Sequence, residues 1–215
     1  MPGLNFSVVG AEAVPFAAAP TLGFKLRVTN PNASEAIRSV ALRCQILIEA
    51  SRRHYNSGER DALRDLFGEP ERWSQTLRSL LWTHATATVP EFSGSIVTDI
   101  AVPCTFDFNV GAAKYFHALQ DMDVPLCFQF SGTVFYTAAD GVLQIDQIGW
   151  DREFRFHLPA KVWSEMMEHY YPNSAWLRLR RDAFERLYDY KRRKGMATWE
   201  EAIESLLPFE KGAVS

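Results

Sequence analysis

The 215-residue chain lacks the short signatures that announce the commonest enzymes. It has no glycine-rich phosphate loop, no GxSxG elbow, no HExxH and no CxxC, so nucleotide use, serine hydrolysis and zinc chemistry of those kinds find no support. Cysteine is scarce. Cys44, Cys104 and Cys127 are odd in number, far apart and set in strand-like runs, a pattern of reduced thiols that forms no disulfide framework. No window reaches the ~20 apolar residues of a membrane-spanning helix, and the opening MPGLNFSVVG lacks the basic start and apolar core of a secretion signal. Basic excess is missing too: the net charge is −3 and the pI about 6.0, which argues against nucleic acid as an obligatory partner. The expectation is a soluble, cytoplasmic, bacterial-type protein.

Metal and acid sites are equally thin. His54, His84, His117, His157 and His169 share no ligand spacing with one another or with cysteine. Asp140, Asp146 and Asp151 flank one segment, but their spacing matches no calcium loop and reads as solvated turn carboxylates. No catalytic residue, cofactor or metal ligand is assigned. Cys44 and Cys104 fall in the apolar register of their strands, as small buried hydrophobes do. Cys127 falls in the opposite register, where it faces solvent or a second layer.

What the chain has in quantity is alternation. Leu22, Phe24, Leu26 and Val28 alternate with Gly23, Lys25, Arg27 and Thr29 until Asn30-Pro31-Asn32 turns the chain. Val40, Leu42, Cys44, Ile46 and Ile48 repeat the pattern. Ile100, Val102, Cys104, Phe106 and Phe108 do so again, with Pro103 confining that strand to an edge or bulge. Val124 to Tyr136 and Val142 to Trp150 read as a hairpin about Asp140-Gly141, and Phe154, Phe156 and Leu158 end the β region. Strands with one wet and one dry face favour an antiparallel sandwich over a parallel sheet. A short helix is predicted over 59–68, closed by Gly68; over 111–119 helix and strand stay undivided.

After Pro159 the period becomes helical. Val162, Trp163, Met166, Met167 and Tyr170 mark a helix over 160–170. Ser174 is the predicted N-cap of a longer helix running to about Gly195, and Thr198 with Glu201 makes a capping box for a last one, with Ala202, Ile203 and Leu206 facing inward. The fold class is therefore α+β, mainly β: an antiparallel β-sandwich over 1–158 with an inserted short helix, C-terminal helices over 159–207 packed on it around one shared core, and a tail over 208–215.

The predicted 174–195 helix carries the one strong charge asymmetry. Arg178, Arg180, Arg181, Arg186, Lys191, Arg192, Arg193 and Lys194 stand against Asp182, Glu185 and Asp189, eight cations to three carboxylates, which leaves −8 on the remainder of a chain of −3. Such a helix either docks on an acidic surface or is a solvated face laced by pairs such as Asp182 with Arg186. The cluster Trp163, Met166, Met167, Tyr170, Tyr171 and Trp176 is likewise a seam between helices and sandwich or an adaptable apolar binding surface.

Taken in order, LGFKLRVTN, IRSVALRCQILIEA, LFGEPERW, TLRSLLWTHATATVPEF and WDREFRFHLPAKVWSEMMEHYYPNSAWLRLRRDAFERLYDYK resemble an uncharacterised bacterial family of unknown function. Tyr171-Pro172 and the Trp176 to Leu179 stretch are its most distinctive features here. The resemblance implies a gene placed among accessory genes of nickel-iron hydrogenase clusters, and a role in assembly or maturation of that metalloenzyme.

The leading expectation is a non-enzymatic accessory or scaffold protein that binds another protein, a hydrogenase subunit or maturation factor, through its C-terminal helices. Trp163, Trp176, Arg180, Arg181 and Tyr188 are the candidate anchors. Uncovered edge strands would also permit a homodimer. Two alternatives stand beside this: a holdase-like chaperone, and an enzyme or small-ligand carrier with a pocket between sandwich and helices built from His84, His157 and Tyr136.

Overall fold

The computed structural model describes residues 3–32, 35–107, 110–119, 122–138 and 140–207. The chain divides into two compact units, Met1–Ser174 and Ala175–Ser215.

In the first unit, alternation becomes two antiparallel sheets. β1 (Asn5–Ala13), β2 (Thr21–Thr29) and β5 (Ser95–Pro103) form a three-stranded sheet in the order β1-β2-β5. β3 (Ala36–Ile48), β4 (Leu80–Val89), β6 (Asp123–Thr137), β7 (Leu143–Gln147) and β8 (Glu153–Pro159) form the other, ordered β4-β3-β6, with β7 and β8 sharing the far side of β6. β8 pairs with the first half of β6 and β7 with the second.

The inner faces are those the period-two pattern selects. Leu22, Phe24, Leu26 and Val28 of β2 meet no solvent, and Val40, Ile46, Val124, Leu126 and Phe128 answer them from the larger sheet. Rings bridge the layers: Phe24 meets Phe128 edge-on at 5.0 Å between centroids, and Phe6 stacks on Phe130 at 4.7 Å. Each buried side chain of this size contributes ~1.5–3 kcal/mol of hydrophobic stabilisation, so these faces hold the sheets together. Gly132 is required where it stands: at φ 139° a Cβ would lie 2.1 Å from the Ala41 carbonyl oxygen.

Short helices close one end of the sandwich. α1 (Ser57–Ala62), α2 (Arg64–Phe67) and α3 (Trp73–Thr76) lie in the β3–β4 crossing, and α4 (Val110–His117) follows β5. Asn56 starts α1 with a full capping box, its side chain accepting from Glu59 N–H while the Glu59 carboxylate accepts from Asn56 N–H. Gly68, at φ 77°, ends α2. α5 (Ala160–Tyr170) lays Trp163 on Phe116 of α4, stacked at 5.1 Å, and Tyr170 Oη donates to the Ala17 carbonyl at 2.8 Å.

The second unit holds α6 (Arg181–Lys194) and α7 (Trp199–Glu204). Gly195, left-handed at φ 66°, ends α6, with its N–H and that of Met196 returning to the Arg192 and Lys191 carbonyls. No helix among the described residues is long and apolar enough to cross a membrane.

Several boundaries correct the sequence-based expectations. The strand placed over 100–108 is β5, Ser95–Pro103; Pro103 has no N–H with which to extend a ladder, Phe106 lies in a turn, and Phe108 is outside the described residues. The strand placed over 142–150 ends at Gln147. The 111–119 segment is helical as far as His117. Ser174 caps nothing: its hydroxyl donates to the Pro172 carbonyl, and the helix begins seven residues later at Arg181. Residues 175–180, Ala-Trp-Leu-Arg-Leu-Arg, have no regular secondary structure, and their leucines and arginines alternate with period two, a pattern no helix face can use. In α7 only Ala202 is buried, while Ile203 and Leu206 are exposed.

Candidate protein-interaction surface

Almost every large apolar side chain of the second unit meets solvent. Trp176 is 50% exposed, and Leu177, Leu179, Phe184, Ile203, Leu206 and Leu207 are all exposed as well. What organisation there is comes from one ring cluster. α6 places Phe184 and Tyr188 one turn apart, so their rings stack at 6.4 Å, and Trp199 at the start of α7 closes on both, at 5.4 and 6.1 Å. Lys191 Nζ stands 5.6 Å from the Trp199 ring centre, a cation–π contact. Tyr190 Oη and Ser205 Oγ, 3.1 Å apart, tie the two helices together. Thr198 caps α7 by accepting from Glu201 N–H, and the Glu201 carboxylate accepts from Ala197 N–H.

The same unit is rich in charged side chains. Arg180 reaches Asp182 at 3.2 Å and Arg192 reaches Asp189 at 3.2 Å, both pairs exposed, and such pairs hold a helix by ~0–0.5 kcal/mol. Lys191, Arg192, Arg193 and Lys194 crowd the last turn of α6, where the helix dipole favours cations.

Of the five side chains that the sequence nominates as anchors, four lie in this unit: Trp176, Arg180, Arg181 and Tyr188, all exposed. Trp163 is set apart from them. At 5% exposure and stacked on Phe116 it belongs to the core of the first unit, together with Met166 and Met167, and is not offered to a partner. Trp199 is the ring the sequence reading passed over; it stands directly after the Thr198 cap, one turn ahead of Ala202 and Ile203.

The first unit buries a small cluster of polar side chains. Arg53 and Glu59 form a buried pair at 2.8 Å, with Arg53 Nε also donating to the Asp123 carbonyl. Beside them the Tyr55 and Tyr115 hydroxyls share a hydrogen bond of 2.8 Å, and burial raises both phenols above their ordinary range. Burial likewise pushes the Cys44 and Cys104 thiols up to about 12. Cys127, on the opposite register as expected, is buried rather than exposed; burial and the Glu153 carboxylate raise it to about 11. A nucleophilic cysteine needs the reverse shift.

His84, His157 and Tyr136 do not converge. The histidines are exposed on the outer face of the larger sheet, on strands separated by β3 and β6, and Tyr136 is buried on the inner face. The groove of about 450 Å³ beside α5 is lined mainly by Phe16, Val162, Met166 and Tyr170, with Glu165 and His169 on the helix rim. Among the described residues, no three His, Cys, Asp or Glu side chains are grouped to hold a metal ion.

No curated protein matches the chain. Among solved structures it is similar to a Bordetella pertussis protein provisionally designated ApaA, at 14% identity, covering 73% of this chain and 94% of that one, with a TM-score of 0.25. A family model covers nearly the whole sequence, residues 1–214, and the chain belongs to that family, DUF6084, a family of unknown function.

Proposed function

We propose that this protein is a non-enzymatic accessory or scaffold protein that binds another protein through its C-terminal helical unit. One observation carries the reading: among the described residues of 175–215, Ala202 alone is buried, while Trp176, Leu177, Phe184 and Tyr188 are exposed on a stretch rich in Arg and Lys. A unit of this size gains little from its own core, so a second surface is where its apolar side chains find burial. Aromatic and arginine side chains are the commonest anchors of protein interfaces. The surplus of Arg and Lys favours an acidic partner face, by steering and by charge pairing. The resemblance noted from the sequence supplies the candidate class, a hydrogenase subunit or maturation factor.

The test is capture of partners by the tagged full chain from its native host, grown with and without hydrogen, read by mass spectrometry. Stoichiometric recovery of a hydrogenase subunit or maturation factor, abolished by Arg180→Glu with Arg181→Glu, is the expected result. Recovery of the same partner by the charge-reversed chain would place the interface elsewhere, and no specific partner would end the proposal.

A further inference from the structure

The first unit has its own unpartnered feature, independent of the C-terminal helices. At the other sheet margins the two layers close on each other: β4 lies alongside β5, and β8 alongside β1. Among the described residues β7 has no such cover from the smaller sheet, and every residue in it except Asp146 is exposed. Exposed apolar side chains concentrate there: Val142, Leu143, Ile145 at 63% and Trp150 at 95% all lie within nine residues of one edge. Edge strands of monomers are usually blunted by shortness, charge, Pro or a bulge. The five-residue strand Leu-Gln-Ile-Asp-Gln relies on its length and Asp146 alone, with no Lys, Pro or bulge.

The ladder decides which groups face outward. Ala138 N–H donates to the Val142 carbonyl and Ile148 N–H to the Gly132 carbonyl, so even-numbered residues bond to β6. By alternation the backbone N–H and C=O of Leu143, Ile145 and Gln147 point away from the sheet. Asp146 Oδ1 accepts from Gln147 N–H at 2.8 Å, which leaves Ile145 as the centre of the open edge.

The geometry points to β7 as a self-association edge, on which β7 of a second copy of this chain pairs antiparallel about a two-fold axis through Ile145. In that register Ile145 faces Ile145, exchanging both backbone hydrogen bonds, and Leu143 faces Gln147. Asp146 falls opposite Gln144, a carboxylate against an amide, so no like charges are directly opposed. Trp150 falls beside the 140–142 turn of the other copy, against the exposed Val142. Val142, Leu143, Ile145 and Trp150 of the two copies expose at most on the order of 1,000 Å² between them, the scale of a weak, reversible contact. The same patch meets itself, as a closed two-fold contact requires. The result is one continuous sheet through two molecules.

Sedimentation velocity of the full chain over a range of concentrations tests this. The wild type should be a reversible dimer, and Ile145→Lys, which places a cation on each side of the axis, should weaken it at least tenfold. Trp150→Ala should weaken it less, and Val97→Lys, at an exposed position on the smaller sheet, should leave it unchanged. Near-ultraviolet circular dichroism of each variant confirms that the sandwich is folded. As a direct readout, Ile145→Cys should cross-link to itself with a short bismaleimide, since Cys44, Cys104 and Cys127 are all buried. A wild-type monomer at every concentration, or a dimer indifferent to Ile145→Lys, would overturn the proposal.

Discussion

Phe24 in the first unit and Phe184 in the second both sit among aromatic neighbours, yet they do opposite work. Phe24 is closed off from solvent by Trp82, Phe128 and Phe156, all within 6.2 Å. Phe184 touches Tyr188 and Trp199 and still stands exposed. The difference lies in what surrounds the rings: two sheets enclose Phe24 from both sides, whereas two short helices supply Phe184 with only one wall. Stability therefore concentrates in the sandwich, while the helical unit leaves most of its large apolar side chains exposed, and on the proposed function it is that unit that meets a partner. That separation lets one be altered without the other.

The largest expected effect comes from breaking the sandwich side of the comparison. Phe24→Ala should lower unfolding free energy by roughly 3–5 kcal/mol in urea titration. Phe184→Ala should cost under about 1 kcal/mol in the same assay, and equal losses would erase the contrast. Nearly as large is the effect of Arg53→Met, which leaves the Glu59 carboxylate buried and without its cation, at about 3–5 kcal/mol. Charge removal in the second unit should behave differently: Arg180→Glu with Arg181→Glu should move the unfolding midpoint by no more than about 0.5 kcal/mol, because these exposed cations hold little of the fold.

The thiols sharpen the comparison at high pH. The folded pKa values of Cys44 and Cys104, about 12, lie above the ordinary value of 9.0. Their protonated burial stabilises fully below pH 9, and that contribution is lost as pH rises from 9 through 12, because the unfolded chain releases those protons first. Alkylation at pH 8 should accordingly leave all three cysteines unmodified in the folded protein and modify them in urea. Rapid native labelling would show a sandwich more open than its packing implies.

How much of this was legible in the sequence follows the same division. β2 and β3 were readable residue by residue, because a sheet buried on one face imposes period two and nothing else competes. α5 was readable from its 3.6 period once Pro159 had ended the β region. The 175–180 segment misled because Trp176 and Leu177, taken with the apolar residues of α6, imitate a helical stripe; the Leu-Arg-Leu-Arg alternation was the truer signal. Trp163 was nominated for an interface because composition cannot tell a buried tryptophan from an exposed one. β7 was visible as a strand from its alternation about an Asp-Gly turn, but its openness depends on β1 and β5 covering β8 and β4 instead, which is a property of the assembled sheets.

On the proposed function, recognition belongs to the helical unit and the sandwich serves as its support. Hydrogen exchange of the full chain, alone and saturated with the partner that the tagged protein captures, addresses it segment by segment. The account predicts fast exchange over 175–207 in the free chain, strong protection of 176–192 on binding, and unchanged slow exchange in β2, β3 and β6. Protection confined to the strands of the sandwich, with the helical unit still exchanging freely, would contradict it.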